Sequence, residues 1–334
     1  MNRRVLLKSR PVGIPQKDHF EIVEAPVPAA RDGEFVVRNA FLAVEPAMRG
    51  WVNAVGNYSE PVGIGEVMRS FAAGEIVESR HPDYRAGEQV MGMFGWQHYA
   101  VSDGRSVVRR VPRDPALPLS TSLGVLGLNG ITAYFGLLDV APPKSGETVV
   151  VSTAAGAVGS CVGQIAKIMG CRAVGIAGGP AKVALCREAF GFDAAIDYKA
   201  GTDLGRALKE ACPGGVDVYF DNTSGPISDA VLGALNVGAR VAICGTASVA
   251  SWDPAPLGPR VERHLLVKRA RMQGFLVLDY SRRYGEAIEQ LSRWVKDGRI
   301  AYREEFLDGI EAAPDAIAGL YRGENLGRRL IRLS

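Results

Sequence analysis

The stretch that decides the fold is Val149-Val-Val-Ser-Thr-Ala-Ala-Gly-Ala-Val-Gly-Ser-Cys-Val-Gly-Gln-Ile-Ala166. A β-branched run leads into a glycine turn, and the turn opens a helix-like half. Its core spacing is Ala154-x-Gly156-x-x-Gly159. Gly156 lets the backbone come close to a pyrophosphate, and Gly159 lets helix and strand pack tightly. The N–H groups of Ala157 and Val158, at the helix start, have no acceptor within the helix and form an anion site. The spacing alone is a weak signal that a tight turn also satisfies. It gains weight from the order strand, turn, helix inside a repeating β-α series.

That series extends on both sides. Strand-like runs are Thr148 to Ser152, Arg172 to Ile176, Ala194 to Asp197, Val216 to Phe220, Arg240 to Cys244 and Met272 to Leu276. Helical runs between them include Val158 to Met169, Pro180 to Phe190, Leu204 to Ala211 and Tyr284 to Lys296. Alternation of this kind predicts a doubly wound parallel sheet, the Rossmann form of the α/β class, over residues 121–300. Upstream the texture is all-β: Val5 to Leu7, Phe20 to Val23, Phe35 to Val44, Phe71 to Val77, Gln89 to Met93 and Trp96 to Val101. The chain closes with Tyr302 to Phe306, a helix near Ala313 to Tyr321 and a strand, Arg329 to Leu333, able to rejoin the β-rich part. Residues 1–120 with 301–334 are therefore expected to form a second domain, with a ligand-binding cleft between the two.

Composition agrees with a two-domain globular chain: 334 residues, 47% hydrophobic and 22% charged, too apolar for disorder. The net charge of +3 is dispersed, and its densest run, Arg260 to Arg271, interleaves Leu265, Leu266 and Val267 like one basic helix face. No nucleic-acid motif accompanies it, so no nucleic-acid partner is expected. The uncharged stretches Ala116 to Leu138 and Thr148 to Ala166 carry too many Gly, Ser and Thr residues for membrane spans. The apolar run after Met1 stops at Lys8, which is short for a signal peptide, so a cytoplasmic location is expected. Cys161, Cys171, Cys186, Cys212 and Cys244 are odd in number and widely spaced, which predicts buried thiols rather than disulfides or a cysteine zinc site.

Cofactor choice is read at the end of the strand Arg172 to Ile176. An NAD enzyme places an acid there for the ribose, whereas this chain continues Ala177-Gly-Gly-Pro-Ala-Lys182. The missing acid and the charge of Lys182, with Tyr198 after the next strand, point to the 2′-phosphate of NADPH. The alternative is an exposed Lys182 and a packing Tyr198.

Several stretches resemble one family over nearly the whole chain. They are Glu45-Pro-Ala-Met-Arg49, Gly130-Ile-Thr-Ala-Tyr-Phe-Gly-Leu137, Ala154-Ala-Gly-Ala-Val-Gly-Ser160, Val216-Asp-Val-Tyr-Phe-Asp-Asn222 and Asn325-Leu-Gly327. The chain resembles the zinc-independent medium-chain dehydrogenase/reductases that include leukotriene hydroxydehydrogenase, prostaglandin reductase and plant double-bond reductases. The resemblance implies a Rossmann domain beside a GroES-like β-rich catalytic domain, and a homodimer paired through the strand near Met272 to Leu276. It implies NADP(H) contacts at Gly156, Ala157, Val158, Gly159, Lys182, Tyr198, Asn222, Cys244, Gly245, Thr246, Ser248, Phe275, Leu276, Val277 and Asn325. Read singly, Asn222 could instead cap a turn and Asn325 hold a loop. Ala47 stands where many members carry tyrosine, and Arg328 where they carry lysine. Val267 matches another pocket tyrosine, placed on a strand.

A zinc alcohol dehydrogenase needs cysteine, histidine and carboxylate ligands from its β-rich domain, and residues 1–120 contain no cysteine. His19, His81 and His98 share no short spacing, so no metal is expected. The expected reaction is metal-free hydride transfer from NADPH to the β-carbon of an α,β-unsaturated ketone or aldehyde. Donors must then hold the developing enolate oxygen. Tyr58, in Tyr58-Ser-Glu-Pro61, is the catalytic candidate, as oxyanion donor and proton source or as an aromatic wall. Met48, Trp51 and Trp96 read as pocket lining or as core. NADPH:quinone reduction and a non-catalytic NADPH-binding sensor are the competing functions.

Overall fold

The computed structural model describes residues 1–54, 56, 58–249 and 256–333. The chain divides into two compact units, Met1–Leu123 with Glu304–Ser334, and Gly124–Arg303. The first unit begins with β1 (Asn2–Leu7), β2 (Phe20–Ala25), β3 (Phe35–Ala43), the one-turn α1 (Met48–Trp51), β4 (Ala72–Ser79), β5 (Gln89–Gly92), β6 (Tyr99–Ser102) and β7 (Val107–Arg110).

The second unit contains α2 (Leu128–Phe135), β8 (Thr148–Ser152), α3 (Ala157–Ile168), β9 (Arg172–Ala177), α4 (Pro180–Ala184), β10 (Ala194–Asp197), α5 (Leu204–Ala211) and β11 (Val216–Asp221). It continues through α6 (Gly225–Gly233), β12 (Leu235–Ile243), α7 (Glu262–Lys268), β13 (Arg271–Gly274) and α8 (Tyr284–Lys296). The first unit then resumes with β14 (Glu304–Asp308), α9 (Ala313–Arg322) and β15 (Arg328–Arg332).

In the second unit all six strands are parallel, in the order β10-β9-β8-β11-β12-β13. Every residue of β8 is buried, as expected of a continuous valine run covered on both faces. Val150, Val174, Tyr219 and Val241 anchor one side of the core. The helices are amphipathic: α8 buries Ala287, Leu291 and Trp294, spaced four and three residues apart. Asp203 caps α5 by accepting from the Arg206 amide at 2.7 Å.

In the first unit β15 joins β3 antiparallel, and β14 lies beside it at the edge of a seven-stranded sheet. The closing segment therefore does return to the β-rich part. Among the described residues, no helix is long and apolar enough to cross a membrane.

Several elements differ from the sequence reading. β12 starts at Leu235 because a shift in pairing between Val216 and Val218 absorbs the turn-like Asn236 to Ala239, with Gly238 at φ 80°. The strand read as Trp96 to Val101 begins at Tyr99, since Gly95 turns the chain at φ 73° and Trp96 is drawn into the core. The helix from Pro180 narrows to five residues before its winding loosens over Leu185–Ala189. β13 ends at Gly274, ahead of a short 3-10 helix, Val277–Arg283. Val267 lies on α7, half exposed, and not on a strand. α2, α6 and β7 carry weak sequence signals: α2 opens Leu128-Asn-Gly130, α6 opens Gly225-Pro226 and ends at Gly233, and β7 is a short edge strand.

Candidate cofactor site

Strand order reverses between β8 and β11. From β8 the chain winds outward through β9 and β10, then returns to start again at β11 and winds the other way. Ligands of open parallel sheets bind beyond the carboxyl ends at such a switch point. Here β8 ends at Ser152, and the next residue, Thr153, adopts φ 55°, a costly conformation for a β-branched residue. The turn Thr153 to Gly156 then feeds α3. Gly156 is the N-cap and supplies no side chain to satisfy the helix start. The amides of Ala157, Val158 and Gly159 therefore have no acceptor within the helix, an arrangement able to hold an anion. A Cβ at Gly159 would lie 2.3 Å from the Thr153 carbonyl oxygen and 2.9 Å from Ala154 Cα, so helix and turn touch there without clearance. At Gly156 the same test meets only Thr153, at 3.1 Å and beyond.

The facing strand end is organised by a residue not singled out from the sequence. Asp221, 1% exposed, ends β11. Its Oδ1 accepts from the Tyr219 hydroxyl (3.0 Å), the amides of Thr223 (2.9 Å) and Ser224 (2.8 Å), and the Thr223 and Ser152 hydroxyls (3.3 and 3.4 Å). Its Oδ2 accepts from the Ser228 hydroxyl. Ser224 is held at φ 58° and Gly225 at φ 64°. Asn222 is tied to β8 twice: its amide donates to Ser152 Oγ at 2.8 Å and its Nδ2 to the Ser152 carbonyl at 2.7 Å. One donor of that side chain is thereby committed. The Asp221 carbonyl accepts from the amides of Cys244 (2.8 Å) and Gly245 (3.1 Å).

In the loop after β12, Ser248 donates its hydroxyl to the carbonyls of Thr223 (2.7 Å) and Ser224 (2.9 Å). Its proton is directed into the protein, so Ser248 fixes the loop that carries Thr246. Cys244 is half buried, with its thiol pushed up to about 12 by burial and then by the Asp221 charge, which makes it a poor nucleophile. All five cysteines are free thiols.

At the other end of the site, Gly178 and Gly179 lead into α4, with Gly179 at φ 96°. The Tyr198 ring covers Gly178 so closely that a Cβ there would meet its hydroxyl oxygen at 2.9 Å. Lys182 is half buried on α4, and Lys199 Nζ lies 6.0 Å from the Tyr198 ring centre. β9 carries no acid at its end, as the sequence shows. Asp197, from the end of β10, nevertheless reaches the turn, where its Oδ1 accepts from the Gly179 (2.8 Å) and Lys199 (2.9 Å) amides. Beyond β13, Phe275 packs edge-on to Phe220 with ring centres 6.1 Å apart, Leu276 is 38% exposed, and the Val277 carbonyl accepts from Tyr284 at 3.1 Å.

The remaining candidates belong to the first unit. Tyr58 is 48% exposed. Asn325 donates its Nδ2 to the Gly327 carbonyl at 2.9 Å, a loop-holding bond. Met48 and Trp96 are wholly buried, and Trp96 donates to the Ala43 carbonyl at 3.0 Å, so both are core. The neighbouring loop is clamped by Arg328, which donates to the carbonyls of Leu123 (2.7 Å) and Val44 (2.9 Å) and pairs with Glu45 (2.9 Å). His19, His81 and His98 do not converge, and among the described residues no three His, Cys, Asp or Glu side chains gather as a metal site.

Comparison with known proteins decides the family. Residues 3–109 match the model described as the N-terminal domain of oxidoreductase, and residues 157–293 the one described as zinc-binding dehydrogenase. The chain is 43% identical to the NADPH-dependent curcumin reductase of Escherichia coli (strain K12), over 100% of this chain and 97% of that protein. It is 38% identical to the NADP(+)-dependent 2-alkenal reductase of Nicotiana tabacum, over 100% and 98%. The crystal structure of CurA in complex with NADPH from Vibrio vulnificus superimposes with a TM-score of 0.92 at 41% identity, covering 99% of each chain. The chain is a zinc-independent double-bond reductase of the medium-chain dehydrogenase/reductase family. The second matched model is described as zinc-binding dehydrogenase; among the described residues of this double-bond reductase no three His, Cys, Asp or Glu side chains gather. The parallel sheet is its Rossmann domain and the mixed sheet its GroES-like domain.

Proposed function

We propose that the protein reduces the carbon-carbon double bond of α,β-unsaturated ketones and aldehydes with NADPH. The observation that carries this reading is full-length likeness to enone reductases combined with an open helix start at the switch point of the parallel sheet. The residues fit the cofactor: a glycine turn that leaves amides free, and a lysine-tyrosine pair beside the next turn. When bound, the reduced nicotinamide supplies the hydride that adds to the β-carbon.

Gly156, Ala157, Val158 and Gly159 bind the pyrophosphate through backbone amides, while Lys182 and Tyr198 receive the 2′-phosphate. Asn222, Cys244, Gly245, Thr246 and Ser248 border the nicotinamide half, with Phe275, Leu276 and Val277 closing it. Asn325 adds a further polar contact to the cofactor. Tyr58 donates a hydrogen bond to the substrate's carbonyl oxygen as enolate charge develops, and its phenol is a proton source for the α-carbon.

The working form is a homodimer joined along β13. Support comes from that strand's position at the sheet edge and from the exposure of Leu266, Val267, Leu276 and Leu278 beside it. A cytoplasmic location is supported by five free thiols.

The test is loss of NADPH absorbance with an alkenal, an enone and a quinone, and the reverse assay with a primary alcohol plus NADP. Turnover of the enone and alkenal is expected. Turnover of the quinone alone would replace this reading with quinone reduction, and turnover of none would leave a binding protein.

A further inference from the structure

The Asp221 carboxylate is buried, yet each of its six donors is neutral: two amides, one phenol and three aliphatic hydroxyls. Among the described residues no ion pair involves it. Hydrogen bonds of this number keep a carboxylate soluble in the interior, but they leave its net charge uncompensated, and in low dielectric that charge reaches far.

Its position is as unusual as its surroundings. Asp221 is the last residue of β11, and its bond to Ser152 joins it to the last residue of β8. Those are the two strands that flank the switch point. The charge therefore stands where a parallel sheet presents its ligand, and opposite the end of the site that carries Lys182 and Lys199. Burial, followed by this charge, raises the Tyr219 hydroxyl and the Cys244 thiol.

Hydride donation converts a neutral dihydronicotinamide into a cationic ring. A fixed anion nearby stabilises the product form of the cofactor and not the starting form. We propose that Asp221 biases this site electrostatically toward the oxidised, cationic nicotinamide, favouring hydride departure. This rests on NADP(H) binding at the switch point. Two electrons and one proton leave the cofactor together as hydride for the β-carbon, and the proton that completes the product is added separately at the α-carbon.

The proposal separates from a purely structural role through the ratio of two binding constants. With an effective dielectric of about 20, a unit charge anywhere within about 12 Å of another changes such a ratio about tenfold or more. Calorimetric titration of the full chain with NADP+ and with NADPH gives the ratio directly, without turnover. The wild-type protein is expected to bind NADP+ at least as tightly as NADPH. Asp221→Asn should weaken NADP+ about tenfold more than NADPH. Ser228→Ala, which removes one donor and keeps the charge, should change both affinities by the same factor.

An unchanged ratio in Asp221→Asn overturns the proposal. So does a wild-type protein that prefers NADPH more than about tenfold, and that measurement stands even if the Asn variant fails to fold. Failure of both forms to bind the wild type would overturn the cofactor reading together with this one. Binding of both with an unshifted ratio overturns this one alone.

Discussion

Gly156 and Gly159 sit three residues apart in one turn, yet alanine at each should fail differently. At Gly159 an added Cβ meets backbone, the Thr153 oxygen at 2.3 Å and Ala154 Cα at 2.9 Å, and backbone cannot rotate aside as a side chain can. To restore ordinary contact, α3 must retreat from the Thr153–Ala154 turn by about 1 Å, which for an overpacked core costs about 1–3 kcal/mol. The same retreat carries the amides of the helix start away from their anion, and a misplacement of about 1 Å is worth on the order of a hundredfold in function. At Gly156 the Cβ meets Thr153 Cγ2 at 3.1 Å and its oxygen at 3.2 Å, contacts a small adjustment relieves. Its cost falls on the ligand, whose pyrophosphate would occupy that space. Gly159→Ala should therefore lower both urea-unfolding stability and NADPH affinity. Gly156→Ala should lower affinity at least tenfold while changing stability by less than about 1 kcal/mol. Gly156→Ala protein that binds NADPH normally would refute the placement of the pyrophosphate on this turn.

Three further outcomes follow from the same geometry. Lys182→Ala should weaken NADPH by about 10- to 100-fold, the worth of a charge-assisted bond to phosphate, and leave NADH nearly unchanged in direct titration; equal losses would contradict the 2′-phosphate assignment. Tyr58→Phe should lower kcat with an enone about tenfold at little change in KM, and an unchanged kcat would reduce Tyr58 to a wall of the pocket. Arg328→Met strands Glu45 and two carbonyls in the interior, so chemical denaturation should show a loss of about 3–5 kcal/mol; a loss under about 1 kcal/mol would mean that the clamp is dispensable.

The parallel sheet was legible because its strands are short, continuous β-branched runs and its helices repeat at 3.6 residues. β8, β10, α5 and α8 begin and end where the pattern puts them. β12 was misread because Asn236 and Gly238 look like a turn in sequence, while a pairing shift lets them run within a strand. Met48 and Trp96 could not be assigned to pocket or core, since apolar residues of a β-rich unit read alike until their burial is seen. The glycine turn was visible because only glycine permits such close approach. Asp221 was not, although it stood inside a quoted motif, because an acid in a strand gives no sign of how many donors will meet it.

Asp221 also explains why the strain at this edge persists. Thr153 and Ser224, both at positive φ, lie one residue beyond β8 and three residues beyond β11, the two strands beside the switch point. Each such conformation costs on the order of 1–3 kcal/mol and survives only where its surroundings leave no alternative. The Ser224 amide is fixed by Asp221, and Thr153 follows Ser152, whose hydroxyl and carbonyl are both engaged by Asp221 and Asn222. One carboxylate therefore braces both residues, and relaxing either would cost it donors that nothing else in a dry interior replaces. A negative charge is a costly way to brace a loop, since a neutral amide would meet several of the same groups. Its presence at the sheet's ligand-facing edge is accounted for if the charge acts on the ligand as well as on the loop.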